Sequence, residues 1–202
     1  MSITSSSMLV EFNFSVWPAQ KLDKRVTTEV NDNSGAAANA AKVHKNLMAG
    51  TTLRKNLADY AAGCRLWHNT MTLPWSNEGP RLLPTGLFLD YKAQANVRQK
   101  VFYGMKADFL THYEALIAVA KNYGEGLGSM FDPNDYPSVE AVAGKFGCRL
   151  VFSPLPEAGD FRIDLPEQEK REMIAEYEQA FDTRLSEAMR KPWEKMHKML
   201  LG

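Results

Sequence analysis

Cys64 and His68 are two side chains whose types and spacing could bind a metal ion. They lie four residues apart in a segment with helical periodicity, so one helix face carries both. Zinc accepts thiolate and imidazole ligands, but no CxxC or HExxH motif accompanies this pair. A cysteine on an apolar helix face is commonly buried. We therefore expect no metal site here, and no cofactor.

The segment 68–84 and the residue before it hold the densest group of distinctive side chains. Tryptophan and arginine dominate binding hot spots, and binding residues favour loops on a rigid scaffold. We predict an ordered binding loop whose contact residues are Trp67, His68, Trp75, Asn77 and Arg81. The competing interpretation is a loop that plugs one end of the core, with Trp75 and the neighbouring leucines buried.

The C-terminal segment 192–202 is a second candidate interface, because it is short, amphipathic and rich in methionine. Methionine is flexible and polarizable, and it adapts well to binding partners. The candidate contact residues are Trp193, Met196, Met199 and Leu200. This segment either docks on a partner or a second subunit, or folds back on the core.

Carboxylates gather in two places that have plain structural explanations. Glu157 and Asp160 flank a loop, and Glu167, Glu169 and Glu172 open a helix, where acids favour the positive end of the helix dipole. Paired carboxylates can perform acid–base catalysis, yet a solvated loop and a helix start explain these groups. The chain has no P-loop, GxGxxG or GxSxG motif and no credible triad, so we expect that it is not an enzyme.

A modest basic cluster contains Lys42, Lys45, Arg54 and Lys55, which could touch phosphate. The chain has 24 basic and 24 acidic residues, so its net charge is zero. A neutral chain lacks the basic field that drives sequence-independent binding of nucleic acid. Nucleic acid is therefore an alternative partner rather than the expected one.

A long helix over 85–123 is the element around which the others must fit. Apolar residues recur there at steps of three and four, which predicts one buried seam. The seam residues are Phe88, Tyr91, Ala95, Phe102, Met105, Phe109, Leu116, Val119 and Tyr123. Arg98 and His112 are polar seam positions that we expect to set register. Such a helix spans roughly 55–60 Å and needs a second long element beside it, in this chain or in another copy.

The other elements follow from alternation and breaker residues. Apolar and polar side chains alternate over 8–17, which predicts a strand, and a strand–loop–strand hairpin is predicted over 148–165. The Ala-rich segment 36–47 is read as helical, and a second long helix covers 166–191 until Pro192 ends or kinks it. The predicted fold is α+β and mainly helical, with a long helical hairpin packed on a small three-stranded antiparallel sheet.

Length and composition favour a single domain over 1–202 with a flexible tail at 1–7. The chain is 45% hydrophobic, enough for a sizeable core, yet has no run of 18 apolar residues and no basic, apolar leader. We therefore expect no membrane partner, a cytoplasmic location, and reduced thiols at Cys64 and Cys148.

Three motifs carry a resemblance to a known family: NFSVWPAQKLDK at 13–24, LPWSNEGPRLLP at 73–84 and FSPLPEAGDFRIDL at 152–165. In these motifs and their spacing, the chain resembles a family of proteins of bacteriophages and other mobile elements, a domain of unknown function with no assigned activity. The resemblance implies a phage origin and the cytoplasm of an infected bacterium as the location. Some family members are encoded near genes for ATPases or recombination proteins. This proximity implies a role in DNA metabolism, by association alone.

Three hypotheses follow, of which an enzyme with an unfamiliar site around His68 and Arg81 is the least favoured. The first is a non-enzymatic, oligomeric interaction protein that binds itself and a protein partner, such as a host factor or an ATPase. The second is a protein that binds or anneals single-stranded DNA in phage recombination or replication, with aromatic rings stacking on bases.

Overall fold

The computed structural model describes residues 6–75, 79–155 and 167–201. Within these residues the protein is α+β and mainly helical, with a small antiparallel sheet, so the predicted class is confirmed. The predicted helical hairpin is not tested and stays a prediction. The strands are β1 (Ser7–Ser15), β2 (Gln20–Leu22), β3 (His44–Asn46), β4 (Leu73–Pro74), β5 (Arg81–Pro84) and β6 (Gly147–Pro154). The helices are α1 (Lys24–Asn33), α2 (Leu53–Met71), α3 (Phe88–Thr111), α4 (Tyr113–Ala120), α5 (Val139–Ala143) and α6 (Glu167–Leu201).

The chain divides into two compact units, each assembled from separate segments. The first unit contains Met1–Asn13, Cys64–Val97 and Arg149–Gly202, and the second contains Phe14–Gly63 and Arg98–Cys148. The chain passes from one unit to the other four times, so neither unit is a continuous stretch of sequence. The prediction of one domain is not tested by this division.

The first unit contains most of a four-stranded sheet with the order β4-β5-β1-β6. β1 pairs antiparallel with β5, from Ser7 opposite Pro84 to Val10 opposite Arg81, and β5 pairs antiparallel with β4. β1 forms because its alternating apolar residues, including Val10, bury one face of the strand.

The predicted three-stranded sheet is therefore wrong in its strand count. The N-terminal strand and the first strand of the 148–165 hairpin are neighbours, as predicted, but β4 and β5 come from the segment 68–84 that was predicted to be a loop. These strands are too short to show alternation, and prolines interrupt the segment. Burial of Leu82 and Leu83 places β5 in the sheet. The second predicted hairpin strand, over 161–165, lies outside the described residues.

The second unit contains a two-stranded antiparallel ribbon, in which Gln20 of β2 lies opposite Asn46 of β3. The Ala-rich segment 36–47, predicted as helical, forms turns that lead into β3. The buried amide of Asn31 explains this difference. Its Nδ2 donates to the carbonyls of Ala38 (3.1 Å) and Ala41 (3.3 Å), and its Oδ1 accepts from the Ala41 amide at 3.1 Å. Such side-chain bonds compete with helix formation.

The predicted helix over 85–123 is two helices, because the helix breaks at His112 between α3 and α4. The imidazole Nδ1 of His112 lies 2.9 Å from the Asp108 carbonyl, which also accepts a hydrogen bond from the His112 amide at 3.2 Å. The seam is buried before the break, at Tyr91, Ala95, Phe102 and Phe109. After the break the buried face shifts to Tyr113, Leu116 and Ala120, and Tyr123 is exposed instead of buried.

The predicted boundary between a helix at 166–191 and a separate segment at 192–202 is also wrong. α6 runs from Glu167 to Leu201 and continues through Pro192. A proline removes one hydrogen bond from the ladder, and a long helix with tertiary contacts elsewhere tolerates that loss.

Candidate functional site

The structure brings together three of the five residues predicted to bind a partner. Trp67 and His68 lie in the last turns of α2, and Arg81 is the first residue of β5. Trp75 lies directly after β4. Asn77 falls outside the described residues.

His68 is the centre of a buried hydrogen-bonded network in the first unit. Its side chain is almost inaccessible, with the residue 7% exposed. Its Nδ1 lies 2.7 Å from the hydroxyl of Tyr91, which is fully buried in α3. Burial, assisted by the nearby Arg81 cation, lowers the pKa of His68 from 6.5 to about 4. The imidazole is therefore neutral at neutral pH, and its Nδ1 shares one hydrogen bond with the tyrosine hydroxyl, whose direction depends on which ring nitrogen carries the proton.

Arg81 joins the network to the backbone at the end of α2 through hydrogen bonds. Its Nε donates to the Thr72 hydroxyl at 2.7 Å, and one terminal nitrogen donates to the carbonyls of Thr72 (3.1 Å) and Asn69 (3.3 Å). The Thr72 hydroxyl donates in turn to the His68 carbonyl at 2.6 Å. A cation beside the last carbonyls of a helix is stabilised by the helix dipole. This arrangement ties β5 to α2.

Aromatic rings cover the network. Trp67 stacks on Tyr91 with ring centroids 4.8 Å apart and an angle of 22° between the planes. Phe12 of β1 meets Trp67 and His68 edge-on, at 6.0 and 6.2 Å. A tyrosine and a neutral imidazole in contact can exchange a proton, but these two are sealed from solvent. The arrangement therefore holds the fold together rather than presenting a reactive group to a substrate.

Trp75 is a core residue, as the alternative interpretation of the loop predicted. It is buried in one cluster with Leu9, Leu82 and Leu155. Its ring meets Phe181 of α6 edge-on, with centroids 5.2 Å apart. The segment 68–84 therefore contributes core and sheet residues instead of an open loop.

Two of the four cations in the basic cluster predicted around residues 42–55 pair with carboxylates within the second unit, and Lys42 is exposed. Lys45 is buried, donates to the Met130 carbonyl at 2.8 Å and pairs with Asp135. The Arg54 Nε donates to the Trp17 carbonyl at 2.9 Å, and Lys55 pairs with Asp59 at 2.6 Å. These contacts reduce the number of cations that could meet a phosphate backbone.

Two surfaces that the sequence analysis did not identify lie on α3 and α6 in the first unit. On α3, Leu89 is 76% exposed and Val97 is 63% exposed, with Ala93 between them at helical spacing. A second set of apolar residues at steps of four, beside the buried seam, was the signal in the sequence. On α6, an open groove of about 430 Å³ is lined by Glu176, Gln179, Ala180, Thr183 and Arg184.

The predicted C-terminal interface is described only in part. Met199 is 70% exposed near the end of α6, and its predicted role in docking stays a prediction. The side chains of Trp193, Met196 and Leu200 lie outside the description.

Neither a metal site nor a membrane span is found in the part of the chain that the structure describes. Cys64 is buried, and no group of three or more His, Cys, Asp or Glu side chains there could hold a metal ion. No described helix is long and apolar enough to cross a membrane.

Comparisons with protein-family models, with curated proteins and with solved structures found no match. The resemblance to a mobile-element family is not tested and stays a prediction.

Proposed function

We propose that this chain is a protein-interaction module and that the outer face of α3 in the first unit binds a partner protein. The observation that carries this proposal is the exposure of Leu89 and Val97 on a helix whose opposite face is buried at Tyr91 and Ala95. Large apolar side chains that share one face form the kind of surface that partner proteins cover.

The spacing of this face supports the proposal. Leu89, Ala93 and Val97 follow one another at steps of four, so they form one ridge along the helix surface. The small Ala93 side chain between two larger ones leaves a notch for a partner side chain. A helix face with anchors at such spacing is a common mode of protein recognition.

The test compares proteins captured from bacterial lysate by the tagged wild-type chain and by the double variant Leu89→Glu, Val97→Glu. We expect the double variant to lose a stoichiometric partner that survives nuclease, because two carboxylates would have to be desolvated in the interface. The matched control is Tyr123→Glu, which removes a similarly exposed ring from the second unit.

Equal capture by the wild type and the double variant would contradict the assignment of the surface. Loss of every captured protein on nuclease treatment would contradict the protein-binding function itself.

A further inference from the structure

The charges of α6 are divided between its two halves. Residues 167–182 contain six acidic and two basic residues, whereas 183–201 contain five basic and two acidic residues. Two such helices side by side repel when parallel and attract when antiparallel, because each acidic half then meets a basic half.

The groove on α6 lies where these halves meet, and Ala180 is at its middle. Glu176 precedes Ala180 by four residues and Arg184 follows it by four, so the three form one ridge on the helix. Ridges of this kind interdigitate when two helices cross at about 50°. In an antiparallel pair with its two-fold axis at Ala180, Glu176 of each copy lies beside Arg184 of the other.

Both charged residues are available for such a contact. Glu176 and Arg184 are exposed, and neither makes a hydrogen bond or ion pair with another residue among 6–75, 79–155 and 167–201. Their neighbours four residues away along α6 are Glu172, Ala180 and Ala188, none of opposite charge, and Glu187, three residues after Arg184, forms no ion pair with it in the described part of the chain. By contrast, Arg190 has Glu194 four residues on and pairs with it at 3.8 Å.

We propose that α6 is a self-association surface, on which a second copy of this chain docks antiparallel with Ala180 at the crossing point. The small side chain of Ala180 lets the two backbones approach, and the charges fix the direction of pairing. The inference goes beyond the proposed function of α3, because it concerns a different helix and names a second copy of this chain as the partner.

Sedimentation of the full chain up to millimolar concentration tests the proposal with charge reversals. We expect wild type to dimerise with increasing concentration and less so in salt, because screening weakens exposed ion pairs. Glu176→Arg or Arg184→Glu alone should weaken dimerisation about tenfold or more, since each places like charges opposite one another twice. The double exchange E176R/R184E should restore dimerisation, and mixing the two single variants should yield a heterodimer.

Asp182→Arg is the matched control, because it reverses the charge of another exposed residue that does not line the groove. A wild-type chain that stays monomeric throughout would overturn the proposal. Equal weakening by D182R and E176R would also overturn it, as would a double exchange that does not recover. Each of these results leaves partner capture by α3 unaffected, so the two proposals fail independently.

Discussion

The two units bury polar side chains in different forms: the first buries a neutral hydrogen-bonded pair, and the second buries an ion pair. In the first unit, His68 is buried neutral and shares a hydrogen bond with the Tyr91 hydroxyl. In the second unit, Lys45 and Asp135 are buried as an ion pair, with side chains 8% and 6% exposed. Neutral groups need only hydrogen-bond partners, whereas buried charges need a partner of opposite charge.

The charged cluster of the second unit joins four parts of the chain. Asp135 pairs with Lys45 of β3 and, at 2.6 Å, with Lys21 of β2. Asp23 approaches Lys45 at 3.9 Å and caps α1 by accepting from the Val26 amide at 3.0 Å. Burial pushes the pKa of Asp135 upward, but hydrogen bonds and charges from Lys21 and Lys45 outweigh it and hold that pKa below its usual range.

This difference predicts that removing one member of the buried pair costs more free energy of unfolding in the second unit than in the first. Asp135→Ala leaves the buried Lys45 cation without its nearest carboxylate, so we expect about 3–5 kcal/mol of destabilisation. Urea unfolding, followed by tryptophan fluorescence and circular dichroism, measures this loss.

Replacing both partners, with Lys45→Met and Asp135→Leu, should recover most of the loss. As a control, Asp59→Ala breaks the exposed pair with Lys55 and should cost less than about 1 kcal/mol. A loss for Asp135→Ala as small as the control's would show that the pair is not a buried anchor.

The pH dependence should separate the two clusters. The folded-state pKa of His68 is below its unfolded value of 6.5, so between pH 6.5 and about 4 the unfolded chain binds the extra proton. Stability is therefore fully present above pH 6.5 and falls as the pH drops towards 4, by about 2–3 kcal/mol. The contribution of Asp135 is present above its unfolded value of 3.8 and is lost only below it.

Urea unfolding at several pH values from neutral to acidic checks this window. His68→Gln should flatten the profile between pH 6.5 and 4, whereas His44→Gln, at an exposed position, should leave it unchanged. An unchanged profile in His68→Gln would mean that another group controls acid stability.

The smallest expected effect comes from a single hydroxyl. Tyr91→Phe leaves the buried Nδ1 of His68 without this hydrogen-bond partner, and we expect a loss of about 1–3 kcal/mol in the free energy of unfolding. Tyr103→Phe is the matched control, because its hydroxyl donates to the Cys148 carbonyl at 3.2 Å from an exposed position. The same loss in both variants would remove the distinction between a buried and an exposed hydroxyl.

Periodicity predicted the elements whose own residues bury one face. The N-terminal strand follows from alternation, and the seam of α3 follows from Tyr91, Ala95 and Phe102 at steps of three and four. Periodicity did not predict β5, because its four residues follow Pro80 directly and end at Pro84, and they are too few to show a pattern. It also gave no sign that the imidazole of His112 would bond to the Asp108 carbonyl at the break between α3 and α4.

Residue types predicted which side chains would matter, but not in what role. Trp67, His68 and Arg81 do come together, yet they meet in a buried network with Tyr91, a residue that periodicity assigned only to the helix seam. The role of each depends on solvent access, and no short segment of sequence encodes that property.

The sequence by itself determined the α+β class, the mainly helical composition, the buried seam of α3 and the division of charge along α6. These follow from the order of apolar and charged residues within single segments, which act over a few turns or strands. Tertiary structure alone decided that Trp75 joins the core, that Lys45 pairs with Asp135, and that His68 is neutral. Each of these depends on residues distant in the chain, because burial and charge pairing are properties of the neighbours that folding supplies.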